Sequence, residues 1–359
     1  MKVVHLCISF EVGGTERLVS DLLRSFKASG EVEPTLVIVN DRFEPRLIAE
    51  LEAAGVPVVL LNRPPGSRSL SAIFALLTTV RRIGPDLVHV HDPVSEMLAL
   101  VLKLADPALR LLASVHNTGL VPNYPAWHIG VANALKMRFA AVSNAVAAEC
   151  LSRGLRQVSV IHNGIDLGRF AAPHPPRDGA VRLVCVARLM IRQKGQDVLL
   201  RALRKCVDMG HDMRCTLVGG AAGGDDDRGV LLQLAEELDI GRRLSFVHGL
   251  TDVAPELAKA DIFVLPSRFE GFGIAAVEAM AAGVPVVASD VDGLREVIQP
   301  DVNGLLVPPD QPDALAEALV ALNTDTALGS RLIIAGRESA RHYSVGAMRE
   351  AYLAAYRAV

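Results

Sequence analysis

Short runs of β-branched and aliphatic residues alternate along the chain with longer stretches whose apolar side chains recur every three or four positions. In the first half, Lys2–Phe10, Thr35–Asn40, Val56–Leu61, Leu87–Asp92, Leu109–His116 and Phe139–Ser143 read as strands. Thr15–Ala28, Glu44–Ala54, Leu70–Ile83, Val94–Leu104 and Ala145–Arg153 carry the helical period. The strands are nearly continuous hydrophobics, as expected where helices cover both faces. Their alternation with helices predicts a parallel, doubly wound sheet. A second series follows, with strands at Val181–Ala187, Met213–Val218, Leu244–His248, Ile262–Pro266, Val284–Ala288 and Leu305–Val307. Its helices are expected at Gln196–Asp208, Val230–Leu238, Ile274–Ala282 and Pro312–Asn323, with a last one from Val345 to Arg357.

The Pro-rich, polar stretch Ala171–Gly179 between the two series reads as a linker. The expected division is an N-terminal domain over 1–170, a C-terminal domain over 171–340 and a terminal segment over 341–359. Two doubly wound domains facing each other would make a cleft. Ligands of such sheets bind beyond the carboxyl ends of the strands, so chemistry is sought in the loops that follow strands. A short linker also suggests hinge closure on a ligand.

Composition narrows the classes. The 359 residues are 50% hydrophobic and 21% charged, ordinary values for a globular chain. The net charge of -3 and an aromatic content of 4% argue against a nucleic-acid surface with basic stripes or stacking platforms. The five cysteines are odd in number, contain no C-x-x-C and mostly sit in apolar runs. They read as buried free thiols of a reducing compartment. No apolar stretch approaches the roughly 20 residues of a membrane span. The N-terminal apolar run is broken by His5 and lacks a small-residue cleavage site, so it reads as a buried strand rather than a signal peptide. A cytoplasmic location is expected, with peripheral contact at the inner face of a membrane left open.

Four stretches carry candidate chemistry. In Glu270-Gly271-Phe272-Gly273-Ile274-Ala275-Ala276-Val277-Glu278 a glycine-containing turn opens a helix between two carboxylates. The amides of Gly271 to Ile274 lie where a helix N-terminus favours an anionic diphosphate. Glu278 can accept two hydrogen bonds from a ribose diol, and Glu270 can meet a sugar hydroxyl. After the strand Val181–Ala187 come Arg188 and Lys194, which can converge on a phosphate pair as planar fork and point charge. Gly13-Gly14 after the first strand allows close backbone approach to a ligand. His116 ends another strand and would face the cleft. His89, His91 and Asp92 are taken to alternate faces and so to form no metal set; no metal site is expected anywhere.

In order and spacing these stretches resemble the family 4 retaining glycosyltransferases, the glycosyl transferases group 1. The likeness rests on Gly13-Gly14, His116-Asn117, Val142-Ser143, Asn163-Gly164-Ile165-Asp166, Arg188 with Lys194-Gly195, Leu265-Pro266-Ser267, and Glu270 through Val287. It implies the GT-B architecture of two Rossmann-like domains, a nucleotide-sugar donor held mainly by the second, and a last helix crossing back over the first. By the resemblance Arg188 and Lys194 would bind the diphosphate, helped by the Gly14 loop and the amides of Phe272, Gly273 and Ile274. Glu278 would bind the ribose and Leu250 would lie by the base. His116 and Glu270 would contact the transferred sugar. UDP-sugar is expected before GDP-sugar, with no cofactor, and a glycan or lipid-linked acceptor in polysaccharide or glycoconjugate synthesis.

The sequence departs from the family where a tight Gly-x-Gly turn is usual, having the longer Gly219–Gly224 followed by Asp225-Asp226-Asp227. That triplet is read as capping and solvation, not as a metal-binding Asp-x-Asp. Acceptor contacts are expected in Asn62–Ser71 and Asn117–Trp127. Arg68, Arg81 and Arg82 with Ile73, Phe74, Leu76 and Leu77 would suit a lipid-linked acceptor. Rival readings are a sugar-nucleotide epimerase or hydrolase of the same architecture, and a non-catalytic nucleotide-sugar binder. A nicotinamide dehydrogenase is opposed by the absence of G-x-G-x-x-G.

Overall fold

The computed structural model describes residues 1–67, 70–118, 121–172, 179–220 and 226–358. Arg68, Asp225, the middle of the expected linker (173–178) and parts of both expected acceptor loops (68–69 and 119–120) lie outside the described residues. The chain forms two compact units, Met1–Gly164 with Val345–Val359, and Ile165–Ser344.

Among the described residues the N-terminal unit holds seven strands, β1 (Lys2–Cys7), β2 (Glu33–Asn40), β3 (Val58–Arg63), β4 (Leu87–Val90), β5 (Arg110–Val115), β6 (Arg138–Ala141) and β7 (Val158–Val160). They pair in parallel in the order β3-β2-β1-β4-β5-β6-β7. The C-terminal unit holds β8 (Val181–Val186), β9 (Met213–Val218), β10 (Leu244–Val247), β11 (Ile262–Leu265), β12 (Val286–Ser289) and β13 (Leu305–Val307). Their order is β10-β9-β8-β11-β12-β13, again all parallel. Both are doubly wound sheets. In each, strand order reverses beside the first strand, between β1 and β4 and between β8 and β11. Two loops diverge at such a point and leave a crevice at the carboxyl ends.

Burial follows the sequence pattern. Val3, Val4 and Leu6 of β1 are fully buried, as are Leu199 and Leu203 of the helix Gln196–Asp208. All five cysteines are buried and unpaired. Burial pushes the Cys206 thiol up to about 11, with a backbone hydrogen bond working against the rise. The helix Val345–Ala358 buries Met348, Tyr352 and Tyr356 in the N-terminal unit, with the Tyr356 ring stacked 5.5 Å from Phe26.

Most strands end sooner than their apolar runs. The run predicted to end at Phe10 leaves the sheet after Cys7, and that predicted to end at Asp92 leaves after Val90. Asp92 is instead an N-cap. Its carboxylate accepts from Ser95 N at 2.8 Å and Ser95 Oγ at 2.6 Å, and from Ile8 N at 2.8 Å. One side chain thus starts the helix Pro93–Ala105 and ties the end of β1 to it. The strand β7 and five α-helices are not expected from periodicity, the two longest of these helices being Ala126–Ala134 and Thr326–Ala340. The second starts at Asp325, whose carboxylate accepts from Leu328 N at 2.9 Å.

Candidate functional site

At the switch point of the C-terminal sheet, the loops after β8 and β11 touch. Gly195 adopts a left-handed φ of +63°, and a Cβ there would lie 2.1 Å from the Pro266 carbonyl oxygen. Only glycine lets the two loops come this close. The consequence is a direct bond between them: Lys194 Nζ donates to Glu270 Oε1 at 2.6 Å. Ser267 Oγ donates to the same oxygen at 2.9 Å. Lys194 and Glu270 are 12% and 9% exposed in their side chains, so the pair is shielded on most sides. An ammonium has three donors, and one of Lys194's is on Glu270. Beneath the pair lies Cys185, whose thiol burial pushes up to about 12, with Lys194 lowering and Glu270 raising it.

Glu270 leads through Gly271 and the buried Phe272 to Gly273, which caps the helix Ile274–Ala282 in a left-handed conformation. That cap has no side chain to bond the first turn, and the turn holds no acidic residue. The amide end of the helix is therefore electropositive. The Phe272 ring packs edge-on to Tyr343 at 5.3 Å, so its backbone and not its ring borders the loop edge. Glu278 lies one turn on and is buried.

Arg188 is placed differently from Lys194. Its side chain is exposed and bonds no described residue, while its carbonyl accepts from Gln196 Nε2 at 2.8 Å. Its backbone is held from the other side by Gly219, whose Cβ would lie 2.0 Å from the Ala187 carbonyl oxygen. Leu250 is half-buried in the loop after β10, the outer strand of the same sheet. Gly14 belongs to the other unit, exposed as the first residue of the helix Gly14–Ser29 after β1.

In the N-terminal unit the switch point is lined by imidazoles. His5 on β1 pairs in register with His89 on β4. Residues two apart on a strand share a face, so His91 joins His89 rather than alternating with it, and their rings are 4.1 Å apart. Ligating atoms of His5, His89 and His91 all lie within 4.8 Å of one another. This corrects the expectation that His89 and His91 point apart; only Asp92 turns away, to its capping role. His5 Nδ1 lies 3.0 Å from His91 Nε2, and His91 Nδ1 lies 3.5 Å from His116 Nε2. Both nitrogens of His89 are committed, to Tyr356 Oη at 2.7 Å and Ser114 Oγ at 2.7 Å. Tyr352 Oη completes the network at 2.7 Å from Ser114 Oγ. Burial lowers His5 to about 3 and His116 to about 4, and takes His89 and His91 well below the ordinary value. All four are neutral at neutral pH. Ser114 lies in the same stretch as His116, but His5 and the two tyrosines escape the sequence because nothing local marks them. The period-two spacing of His89 and His91 was the signal available.

The apolar face expected on Leu70–Ile83 is divided. Leu76 is buried, whereas Phe74 is 67% exposed. A broader apolar face lies on the next helix, Pro93–Ala105, where Val94, Met97, Val101 and Leu104 are all exposed. Between the two helices a groove is lined by Leu77, Val80, Leu102 and Leu109, with Arg81 beside them. Among the described residues no helix is long and apolar enough to cross a membrane.

Two family models match in tandem, glycosyltransferase family 4 over residues 12–169 and glycosyl transferases group 1 over residues 180–325. The phosphatidyl-myo-inositol mannosyltransferase of Mycobacterium tuberculosis is 31% identical over 76% of this chain and 74% of its own length. The D-inositol 3-phosphate glycosyltransferase of Xylanimonas cellulosilytica is 34% identical over 53% of this chain, which spans about half (48%) of that relative. Among solved structures, Anabaena HepE in complex with UDP-glucose matches with a TM-score of 0.86 at 22% identity, over 100% of both chains. The sucrose-phosphate synthase of Thermosynechococcus elongatus matches at 0.80 and 22% identity, over 99% of this chain and 98% of that one. The two parallel sheets have the GT-B fold, and the chain belongs to glycosyltransferase family 4, the group 1 glycosyl transferases.

Proposed function

We propose that the chain transfers a sugar, with retention of anomeric configuration, from a nucleotide diphosphate sugar to a hydroxyl of a glycan or lipid-linked acceptor. The observation that carries this reading is the Lys194–Glu270 pair beside the uncapped start of Ile274–Ala282. A cation and a helix amide end suit a diphosphate, and an adjoining carboxylate suits sugar hydroxyls. The remaining donors of Lys194 take phosphate oxygens, and the exposed guanidinium of Arg188 closes on the same group. Glu278 holds the ribose diol, and Leu250 borders the base.

In the reaction the bond from the anomeric carbon to the diphosphate oxygen breaks. The acceptor oxygen bonds to that carbon from the same face, and its proton passes to the departing phosphate oxygen. Charge grows on the diphosphate as this happens, and Arg188, Lys194 and the helix start stabilise it there. These groups supply the positive charge, so the proposed chemistry needs no metal. His116, neutral because burial holds it at about 4, offers the N-terminal unit's hydrogen bond to a sugar hydroxyl and not a proton. UDP is the favoured nucleotide and GDP the second, in keeping with the UDP-glucose bound to HepE. A lipid-linked acceptor is in keeping with the M. tuberculosis relative's name and with the exposed face of Pro93–Ala105, which suits peripheral contact at the inner face of a membrane.

A thermal-shift screen against UDP, GDP, ADP and their sugars tests the donor. A ligand at 100 times its Kd adds about 2.7 kcal/mol, and UDP is expected to give the largest shift. Proton NMR of the glycosylated product tests the stereochemistry, with an α-linked donor giving an α-linked product. No shift with any nucleotide would remove the donor reading. Consumption of donor without acceptor would move the chain to an epimerase or hydrolase.

A further inference from the structure

Lys194 ends a single helical turn, Ile191–Lys194, whose N-cap Met190 supplies no side-chain bond. Four residues of helix are too few to hold themselves. The turn is held from outside at both ends. At its amide end, Asp227 Oδ2 accepts from Ile191 N at 2.6 Å, while Asp227 N donates to the Leu189 carbonyl at 3.1 Å. Asp227 is thus a cap supplied by the segment between β9 and the helix Arg228–Glu237. At its carbonyl end, Arg268 N donates to Gln193 O at 2.9 Å, and the Arg268 guanidinium reaches Ile191 O. Arg268 is in turn oriented by Asp197, in two bonds of 3.0 and 2.9 Å, and by Asp310 at 2.7 Å. The neighbouring Asp226 does something separate, accepting from Arg228 N at 3.1 Å to start the next helix.

We infer that Asp227 is a positioning residue for Lys194, fixing the turn from which the ammonium reaches the diphosphate. The inference rests on the reading of Lys194 as a diphosphate ligand. It gives the last aspartate of the acidic triplet a role that requires no metal. Without the cap, the turn keeps its carbonyl-end clamp and the bond from Nζ to Glu270, but the backbone that carries Lys194 is no longer fixed at its amide end and Nζ can be displaced with it. Misplacement by about 1 Å costs on the order of a hundredfold in an oriented reaction. The acceptor oxygen matters here and the charge is secondary, so an amide oxygen at the same place should serve.

The test uses the full chain and five variants. Asp227→Ala is expected to lower kcat/KM for UDP-sugar about ten- to a hundredfold and to weaken UDP binding, with Asp227→Asn restoring most of both. Ile191→Pro removes the donated N–H without touching Asp227. Proline is accepted at the first position of a helical turn, and Met190 (φ -133°, ψ 87°) already lies outside the helical region that a following proline disfavours. It should reproduce the loss. In a Lys194→Ala background, Asp227→Ala should weaken UDP binding no further, because a positioning residue acts through the group it positions. The inference falls if Asp227→Ala keeps kcat/KM within about twofold, or if its loss of UDP binding persists undiminished in the Lys194→Ala background. It also falls if Asp227→Asn is as damaging as Asp227→Ala and manganese restores activity. Should Lys194→Ala alone leave UDP binding intact, the diphosphate reading fails first, and calorimetry on that single variant shows it.

Discussion

The edge beyond β1 and β4 in the N-terminal unit gathers four imidazoles, a serine and two tyrosines, all uncharged and bonded mainly to one another. The edge beyond β8 and β11 in the C-terminal unit gathers an ammonium, a carboxylate and a helix amide end. Strand order at the two places is the same, reversing beside the first strand. The fold therefore supplies a location and the side chains supply its character. A neutral, polar edge suits hydroxyl-rich ligands, while a charged edge that keeps its ions suits a diphosphate. The largest way to break this contrast is to remove the charge. Lys194→Ala should lower turnover at least about a hundredfold, or about 3 kcal/mol, the usual scale for one preorganised charge-stabilising donor. It also strands Glu270 without its cation, and breaking a buried pair costs several kcal/mol. The double variant Lys194→Ala/Glu270→Gln removes both charges. Its melting temperature should recover toward that of the parent while turnover stays low. Recovery of turnover with stability would mean that Lys194 is only a structural counter-ion.

Acid separates the two edges next. The histidine pKa values are depressed in the folded N-terminal unit, so between about pH 4 and 6.5 the unfolded chain binds more protons than the folded one. Stability there rises with pH, and the contribution present above 6.5 is lost as pH falls through that window. One pH unit below 6.5, each fully depressed histidine costs about 1.4 kcal/mol. Buried Glu96 works the other way: burial raises it, so acid relieves it. It is one group against four. Calorimetry from pH 7 to pH 5 should show the transition of the N-terminal unit falling by several degrees more than that of the C-terminal unit. Parallel movement of both transitions would show that the imidazole network carries no special protonation cost.

The two edges also differed in how far the sequence disclosed them. The charged edge was legible because its chemistry is local: Arg188 to Lys194 and Glu270 to Glu278 are each one short stretch that follows an apolar run. What could not be read was that Arg188 stays in solvent while Lys194 is already bonded, since this depends on Gly195 meeting Pro266 across the sheet. The neutral edge was scarcely legible. Its members come from β1, β4, β5 and the last helix, as much as 267 positions apart in the His89–Tyr356 bond, and a lone histidine in an apolar run carries no signal of its partners. The strand ends were misjudged for a related reason. Ile8 and Phe10 after β1 and His91 after β4 are apolar or aromatic enough to continue a strand, yet the backbone leaves the sheet there to form the edge. The helix Ala126–Ala134 escaped periodicity because its placement comes from Glu96, which takes bonds from Tyr124 Oη at 2.7 Å and, in the helix, from His128 Nε2 at 3.2 Å.

The smallest expected effect probes the neutral edge by one atom. Tyr356→Phe keeps the ring that stacks on Phe26 and deletes only the hydroxyl 2.7 Å from His89 Nδ1. The ring nitrogen is then left without a partner in a fully buried site, which costs about 1–3 kcal/mol. Because His89 Nε2 keeps Ser114, the imidazole need not flip, and His91 and His116 stay in place. The N-terminal unit should therefore melt a few degrees lower with kcat and the donor KM unchanged. Deleting the hydroxyl of Ser114 instead removes a group that both His89 and Tyr352 use, so Ser114→Ala should cost more than Tyr356→Phe. Combining the two should cost less than their sum, because both act on one ring. Strict additivity would mean that the imidazoles and tyrosines are separate bonds and not a network, and the neutral edge would then have no collective character to set against the charged one.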